Sequence, residues 1–369
     1  MDPVEELALL LRPAGGGLYL VSTGADAQKT LQRRFYGKDS DADVTDAFHA
    51  ALQRIPTAKA VLLGIPSDVG AGFRRGANLG PQGIRQALLE DDTALPPGSL
   101  DIGDVFVVPQ LLDDEMLSPQ QLATSRQALY PDVAHEVRRR LPVSPLSIAE
   151  RVWQLVFTLN PAARPVSLGG DHSTAWPAVS ALHRAGRKFC IVQFDAHTDL
   201  LPERLGVRIC FATWSFHANE LIGRQQRMLQ VGIRATRHSQ SHWEQTLGVR
   251  QWWAKDVNAA PSQALDDIVA AARATGLPCY VSNDIDGTDE AFADATGTPE
   301  PGGVSPEFVG QLITRLGAEI GLVGADVMEV APGLAPDGGQ RTSRLAASYL
   351  RQSVRALVQD PAIPRPTLG

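Results

Sequence analysis

Six residues of metal-ligand type fall in three short motifs: Asp-His, Asp-x-His-x-Asp and Asp-x-Asp. They are His172, Asp195, His197, Asp199, Asp284 and Asp286. Alternate residues of extended backbone share a face, so the last two motifs are expected to point their side chains into one cavity. Carboxylates and imidazoles together are ligands of divalent first-row metals. The residue types and their spacing therefore predict a metal site.

Four of the six side chains are carboxylates, and gathering them in a partly buried site is costly without compensating charge. Two divalent cations would balance four negative charges, and a bridging hydroxide would complete the site. The mixed ligand set favours Mn²⁺ over Fe, Co, Ni and Zn. Each motif alone has an ordinary structural explanation, because an Asp-His pair or an acid after a strand often caps the next element. The three motifs in order favour the metal site.

Each motif accompanies a short apolar segment that is typical of a buried strand. These segments are PVSLGG (165–170), FCIVQFDA (189–196), PCYVSNDID (278–286) and IGLVGADVME (320–329), the last ending at Glu329. Amphipathic helices are predicted between and after them, at 174–186, 266–275, 305–316 and 341–358. Apolar strands alternating with helices indicate a mostly parallel sheet covered on both faces. Ligands bind beyond the carboxyl ends of such strands, so the acids are expected at one edge of the sheet.

The remaining chain is predicted in less detail. Residues 1–57 form an N-terminal extension with some helix, as from Asp43 to Ile55, and residues 58–369 form a single domain. Further strands are predicted at 60–66, 101–108 and 229–234, and a helix at 81–90. The capping-box spacing of Ser147 and Glu150 predicts a helix that starts there. Residues 91–145 are rich in proline and hard to assign.

Composition sets broad limits on function. The chain has 369 residues, 44% of them hydrophobic, which is enough for a substantial core. A net charge of −7 does not favour nucleic acid or an anionic membrane as a partner. Three cysteines, Cys190, Cys210 and Cys279, argue against a disulfide framework. Neither a signal peptide nor a transmembrane segment is recognisable, so a soluble cytoplasmic protein is expected.

Five blocks of the sequence resemble the ureohydrolase (arginase/agmatinase) family and follow in the family's order. They are GIPSDVGAGFRRGANLGPQGIR (64–85), GGDHSTAWP (169–177), QFDAHTDL (193–200), SNDIDGTDEAFADATGTPEPGG (282–303) and GADVMEVAP (324–332). The resemblance implies the three-layer α/β/α arginase-like fold with a mostly parallel central sheet. It also implies a homo-oligomer, trimeric or hexameric.

The same resemblance implies a mechanism and roles for residues. Two Mn²⁺ ions would be held by the six residues above, with His172 and Asp199 on one ion and Asp195 and His197 on the two sides of the pair. They would activate a bridging hydroxide that attacks a guanidinium carbon and releases urea. Asp199 is thus expected to be catalytic as well as a ligand. Glu329 matches the acid that pairs with the guanidinium group, and Asp289 matches a further acid near the metals.

One segment departs from the family pattern. Family members usually have a His-Gly pair soon after DAHTD, in which the histidine moves a proton, whereas this chain has GVRICFATWSFHANE (206–220). By spacing, Cys210 stands near the histidine's place, followed by Phe211, and His217 comes seven residues later. His217 could reach the site by another loop path, or Cys210 could line the pocket while another group or water moves the proton. A protein that has lost turnover is the third interpretation.

The substrate is less defined than the reaction centre. Arg74, Arg75 and Asn78 lie in a loop that could face the pocket. The two arginines could favour a carboxylate-bearing guanidino acid, although a solvated basic loop is the more ordinary explanation. Three tryptophans could line the pocket or belong to the core: Trp214, Trp252 and Trp253. The sequence therefore predicts hydrolysis of an agmatine-like or guanidino-acid substrate. The alternatives are a formiminoglutamate-type hydrolase and a metal-binding pseudoenzyme or regulatory subunit, and the intact ligand set argues against the last.

Overall fold

The computed structural model describes residues 1–20, 22–91 and 94–359. Within these residues the strands are β1 Leu11–Arg12, β2 Ala60–Ile65, β3 Ser99–Val105, β4 Arg164–Gly169, β5 Cys190–Phe194, β6 Met228–Ile233, β7 Arg250–Trp253, β8 Cys279–Asp284 and β9 Leu322–Met328. The helices are α1 Pro3–Leu10, α2 Ala25–Tyr36, α3 Asp41–Leu52, α4 Gly80–Glu90, α5 Pro119–Leu129, α6 His135–Arg138, α7 Pro145–Leu159, α8 Trp176–Arg184, α9 Trp214–Leu221, α10 Gln240–Leu247, α11 Ala254–Ala259, α12 Pro261–Ala274, α13 Pro306–Glu319 and α14 Gln340–Gln359.

All nine strands of the described residues join one sheet, in the order β1-β3-β2-β4-β9-β8-β5-β6-β7. Neighbouring strands run parallel except β1, which pairs antiparallel with β3 at one edge. The predicted α/β class with a mostly parallel sheet is confirmed. Predicted strand ends differ from the observed ones by a few residues, as with the strand predicted at 101–108 that lies at Ser99–Val105.

Helices cover both faces of the sheet, which makes the three layers. Along β2, Val61, Leu63 and Ile65 enter the apolar cluster beneath α1, α3, α7 and α8. Ala60 and Leu62 enter the opposite cluster, beneath α4 and α12–α14. Alternating side chains of a strand point to opposite faces, so a continuous apolar strand is buried on both sides. The structure thus explains why these strands carry no polar alternation.

Two local predictions need comment. The capping box predicted at Ser147 is wrong: α7 starts at Pro145, and the Ser147 hydroxyl instead donates to Asp113 and accepts the backbone N–H of Asp114. Proline fits the first turn of a helix because it has no N–H to satisfy there. The hard-to-assign residues 91–145 contain α5 and the single-turn helix α6.

The N-terminal residues pack on the sheet. β1 extends it, and Leu7 and Leu10 of α1 are fully buried in the same cluster as Val61. The division into an extension at 1–57 and a domain at 58–369 stays a prediction, and residues 360–369 of that domain lie outside the described residues. None of the helices in the described ranges combines the length and apolar character needed to cross a membrane.

Candidate metal centre

Four adjacent parallel strands bring the predicted ligands to one edge of the sheet. These strands are β4, β9, β8 and β5. His172 follows β4, Asp195, His197 and Asp199 follow β5, Asp284 and Asp286 lie at the end of β8, and Glu329 follows β9. Parallel strands place their carboxyl ends together, so residues more than 150 positions apart in the chain meet here.

The ligand atoms form two groups that share one carboxylate. His172, Asp195 and Asp199 make the first group and Asp195, His197 and Asp286 the second; within each, the ligand atoms lie within 4.8 Å of one another. In the first group His172 Nδ1 is 3.2 Å from Asp195 Oδ2 and 3.2 Å from Asp199 Oδ2. In the second group His197 Nδ1 is 3.1 Å from Asp286 Oδ2 and 3.5 Å from Asp195 Oδ1. The two oxygens of Asp195 therefore face different groups.

Asp284 joins the first group, because its Oδ2 lies 3.0 Å from His172 Nδ1. That nitrogen is fully buried and has no hydrogen-bond partner, although three carboxylates surround it. The other ring nitrogen, Nε2, lies 3.1 Å from the Ser282 hydroxyl, which donates to Asp326. Since that hydroxyl has only one proton, Nε2 is the donor, and Nδ1 is the ring nitrogen that faces the carboxylates. Burial would lower the pKa of His172, but the neighbouring Asp195, Asp199 and Asp284 raise it well above its usual range, so positive charge is favoured at this position.

The electrostatics of the cluster also fit cations. Burial raises the pKa of Asp199 to about 7, and the charge of Asp195 adds to this effect. Burial, with the charges of Asp286 and Asp195, raises the pKa of Asp284 well above its usual range. Burial would lower the pKa of His197, but Asp286 and Asp195 raise it to about 12. Positive charge is therefore strongly favoured between these carboxylates.

The ligands converge for a different reason from the one the spacing suggested. Asp199 has a φ of 51°, in the left-handed region, and the chain bends at Ala196 and His197. Ile285–Gly287 form a 3₁₀ turn capped by the Asp284 side chain, which accepts the Asp286 N–H. Extended backbone with alternating side chains is thus wrong for both motifs, although the predicted meeting of the ligands is observed. Aspartate tolerates the left-handed region better than most residues, and such conformations concentrate at functional sites.

Several neighbours orient the ligands. Trp214 donates its indole N–H to Asp199 Oδ2 at 3.2 Å, and its ring lies 4.5 Å from that of His172. Thr298 donates its hydroxyl to Asp286 Oδ2 at 2.9 Å. Hydrogen-bonding partners of this kind fix the direction of a ligand and are part of a metal site. Trp214 is thus both core and site, the two interpretations left open by the sequence.

Arg234 is a site neighbour that the sequence analysis did not single out. Its guanidinium donates to the carbonyls of Asp286 at 2.7 Å, Gly287 at 3.2 Å and Glu300 at 2.8 Å. It thereby ties the end of β8 to the loop around Glu300, whose carboxylate lies 3.7 Å from His197 Nε2. A signal was present, because Arg234 directly follows β6 at the same edge of the sheet as the ligands.

Glu329 lies beside the first group, and one of its two carboxylate oxygens is already hydrogen-bonded to the backbone. Its Oε1 accepts the His172 backbone N–H at 2.9 Å, and its φ of 63° is again left-handed. Burial and the charge of Asp171 raise its pKa well above the usual range. Oε2 points toward Gly297: a methyl group there would lie 3.8 Å from Oε2 and 3.1 Å from the Arg74 carbonyl. A side chain at 297 would therefore crowd the Arg74 carbonyl and approach this carboxylate.

The two candidates for proton transfer have different surroundings. Cys210 is 5% exposed, and the Thr213 hydroxyl lies 3.7 Å from its sulfur. Burial raises the pKa of this thiol, with Asp171 and Asp199 adding to the effect, so it is neutral at pH 7. The His217 ring lies 3.0 Å from the Pro202 carbonyl, and burial lowers its pKa. Both roles stay predictions.

The remaining predicted residues are distributed around the site. Asp289 caps a loop by accepting the N–H groups of Ala291 and Gly303. Arg75 donates to the carbonyls of Asp68 and Val69. The half-buried Arg74 guanidinium, in contrast, has no hydrogen bond or ion pair with any residue in the described ranges. Asn78 is half-buried in the turn Ala77–Leu79. Trp252 stacks under Arg250, and Trp253 donates to Gln251.

Comparison with known proteins adds a family to this geometry. The sequence profile described as the arginase family matches residues 58–354. An agmatinase of Halalkalibacterium halodurans is 29% identical over 80% of this chain and 91% of its own. A guanidinobutyrase of Pseudomonas aeruginosa is 28% identical over 81% and 86%. The crystal structure of a hypothetical agmatinase from Burkholderia thailandensis superposes with a TM-score of 0.64 at 25% identity, over 83% of this chain and 87% of that one.

Proposed function

The chain belongs to the arginase family, and from this premise we propose that it hydrolyses a guanidino compound to urea and an amine with two divalent cations. It is a hydrolase that acts on C–N bonds other than peptide bonds, in linear amidines. The main support for the proposal is that two groups of possible ligands share Asp195 and that the buried His172 Nδ1 faces the carboxylates of the first group.

Each group would hold one cation. His172, Asp199 and Asp284 surround the first position, His197 and Asp286 the second, and Asp195 offers one oxygen to each. Bound there, two cations would supply Lewis acidity and lower the pKa of water toward neutrality. We propose Mn²⁺, because carboxylates outnumber imidazoles among the ligands.

The protein must also hold the planar guanidinium against this site. Glu329 Oε2 can accept a guanidinium N–H, while Oε1 stays bonded to the His172 N–H. The hydrogen bond between Oε1 and the His172 N–H fixes the orientation of the Glu329 carboxylate. Orientation of the substrate would therefore not depend on a mobile side chain. Glycine at 297 keeps a side chain from approaching Oε2.

Departure of the amine requires a proton, and Cys210 and His217 remain the two candidate residues. A neutral thiol whose pKa is raised by burial is a weak proton donor, but Cys210 can line the pocket while water carries the proton. His217 would have to leave the Pro202 carbonyl to reach the reacting nitrogen.

For the substrate tail we propose a short guanidino acid rather than an agmatine-like amine. The relative from Pseudomonas aeruginosa is named a guanidinobutyrase. The Arg74 carbonyl and Glu329 Oε2 both lie within 4 Å of the space beside Gly297, so the Arg74 side chain starts close to the guanidinium position. Its guanidinium, unpaired within the described residues, suits a carboxylate at the other end of such a substrate.

A product panel tests the proposed function. Protein reconstituted with Mn²⁺ is offered guanidino and formimino compounds, and urea, formamide and ammonia are measured separately. We expect urea from a guanidino compound, and loss of urea release in Asp195→Asn but not in the exposed-acid control Asp266→Asn. Formamide would instead identify a formimino substrate. No product from any compound would contradict the proposal and favour a metal-binding pseudoenzyme.

We propose further that the chain works in the cytoplasm as a trimer or hexamer. Cys190 and Cys279 lie with their sulfurs 3.4 Å apart as free thiols, which suits a reducing compartment. Phe73 and Leu205 are 90% and 97% exposed, so a neighbouring subunit could cover them. Light scattering after gel filtration measures the assembly, and a monomeric mass would refute this part.

A further inference from the structure

Three glutamines stand directly opposite one another on the last three strands of the sheet. Gln193 of β5 pairs with Gln230 of β6, and Gln230 pairs with Gln251 of β7. Their exposures are 0%, 0% and 3%, and the strand neighbours of Gln193 and Gln230 are apolar. Burying a primary amide costs on the order of 1–3 kcal/mol unless it is hydrogen-bonded, so three in a row need a reason.

The side chains form one continuous chain of hydrogen bonds. Gln193 Nε2 donates to Asp195 Oδ2 at 2.7 Å. Gln230 Nε2 donates to Gln193 Oε1 at 2.9 Å, and Gln251 Nε2 donates to Gln230 Oε1 at 2.9 Å. At the far end the Trp253 indole donates to Gln251 Oε1 at 3.0 Å. We call these three glutamines the amide ladder.

The two ends of the ladder set its direction. The indole N–H can only donate and the Asp195 carboxylate can only accept, so turning over any one amide would place two donors or two acceptors face to face. Every amide N–H therefore points toward Asp195. Aligned hydrogen bonds polarise one another, by about 10–30% per bond, which strengthens the bond that reaches the carboxylate.

The ladder also holds the loop that carries the other ligands. Gln230 Nε2 donates to the carbonyl of Thr198, between His197 and Asp199, at 2.7 Å. Ser215 donates its hydroxyl to Gln193 Oε1 at 2.9 Å and follows Trp214, which bonds Asp199. The ladder therefore braces both the shared carboxylate and the backbone that follows it.

We infer that Gln193, Gln230 and Gln251 are positioning residues that aim the two oxygens of Asp195 at two cations. Oδ2 receives the Gln193 N–H and Oδ1 receives the His197 backbone N–H at 2.6 Å, so each oxygen has one donor and keeps lone-pair capacity for a cation. The inference rests on the proposed two-cation function. All three glutamines are buried in the sheet, and their hydrogen bonds reach the site at Asp195 and the Thr198 carbonyl, so they act through these groups.

The test measures cation affinity rather than turnover. Protein stripped with a chelator is titrated with Mn²⁺ against a competing indicator, and the unfolding temperature of the stripped protein is recorded in parallel. The variants are Gln193→Met, Gln230→Met and Gln251→Met, because methionine keeps the length and loses the amide. Loss of an outer hydrogen-bonding partner typically weakens metal affinity by about 10–100-fold, which we expect for Gln193→Met.

The effect should fade with distance from Asp195. We expect a weakening of about 3–10-fold for Gln230→Met, which acts through Gln193 and the Thr198 carbonyl, and about twofold for Gln251→Met, which acts only by polarising the next bond. Gln251 lies on an edge strand of the described sheet, so this variant is the one best placed to fold normally.

Asn160→Leu provides the matched control. Asn160 is a buried amide that donates to the carbonyls of Ile55 and Ala58. It precedes β4 and therefore lies near the amino ends of the parallel strands, whereas the ligands lie at their carboxyl ends. We expect it to lower the unfolding temperature without changing the affinity for Mn²⁺.

The outcomes separate the two proposals. A graded loss of affinity in the ladder variants, absent in Asn160→Leu, supports the inference. Ladder variants that bind Mn²⁺ like the wild type, and only lose stability, overturn it and leave the proposed function standing. A wild type that binds no divalent cation overturns the proposed function, and the inference with it.

Discussion

Trp214→Phe should weaken cation binding more than it weakens the fold. The substitution removes the indole N–H that reaches Asp199 Oδ2 at 3.2 Å and keeps an aromatic ring against His172. Both Trp214 and Asp199 are buried, at 0% and 7% exposure, so water cannot replace the lost donor without reorganising the core. In the variant the Asp199 carboxylate would lose the hydrogen bond that fixes its orientation.

The magnitude follows from the type of bond. A hydrogen bond to a charged group contributes roughly 1.5–3 kcal/mol, and a separation at the long end of the N–H···O range favours the lower figure. About 1.4 kcal/mol corresponds to tenfold in an equilibrium constant, so the dissociation constant for Mn²⁺ should rise about tenfold. The smaller ring also leaves a cavity that costs roughly 1 kcal/mol of folding free energy.

Trp153→Phe separates these two effects. Trp153 is likewise fully buried, but its indole nitrogen has no hydrogen-bond partner, and its ring stacks on Phe157. Both variants should lose similar stability in thermal unfolding of the stripped protein, whereas only Trp214→Phe should lose affinity in the Mn²⁺ titration. Equal affinities for the two variants would refute the role assigned to the indole N–H.

Three further predictions concern protons and the substrate tail. Mn²⁺ affinity should fall as the pH drops below about 7, because burial raises the pKa of Asp199 to about 7 and the cation must then displace its proton; calorimetry at pH 6 and 8 checks this. Arg74→Met should raise KM about tenfold for 4-guanidinobutyrate and leave KM for agmatine unchanged; parallel changes would exclude a carboxylate contact. His217→Ala should keep kcat within about twofold, because its ring bonds the Pro202 carbonyl; a fall of about 100-fold would support His217 as the proton-transfer group.

The edge of the sheet where the site lies could be predicted from the sequence because the evidence for it is local. Each buried strand is a short apolar run, and the ligands follow these runs within a few residues. β7 was missed because its four residues, Arg250–Trp253, contain no aliphatic residue and so give no apolar run. The start of α7 was predicted at Ser147, whereas the helix begins at Pro145. Ser147 does not cap the helix because its hydroxyl is hydrogen-bonded to Asp113 and Asp114 outside it.

The conformation of the ligand motifs could not be predicted from their spacing. Alternation of Asp195, His197 and Asp199 suggested extended backbone, yet Asp199 adopts a left-handed conformation. Its cost is offset by long-range contacts, such as the N–H of Trp214, that no local pattern contains. The alternate spacing of these residues therefore predicted correctly that their side chains meet. The reason was wrong, because the backbone between them is not extended.

The helix after the loop that carries the candidate ligands shows how helix register decides which side chains face the site. In α9 the buried residues are Trp214, Ser215, Ala218 and Asn219, so positions four apart form the inward face. Trp214 and Ser215 use that face to reach Asp199 and Gln193. His217 lies beside it, and its ring turns to the Pro202 carbonyl. His217 lies outside that buried set and bonds the Pro202 carbonyl, so the two roles need separate tests: cation affinity for Trp214 and turnover for His217.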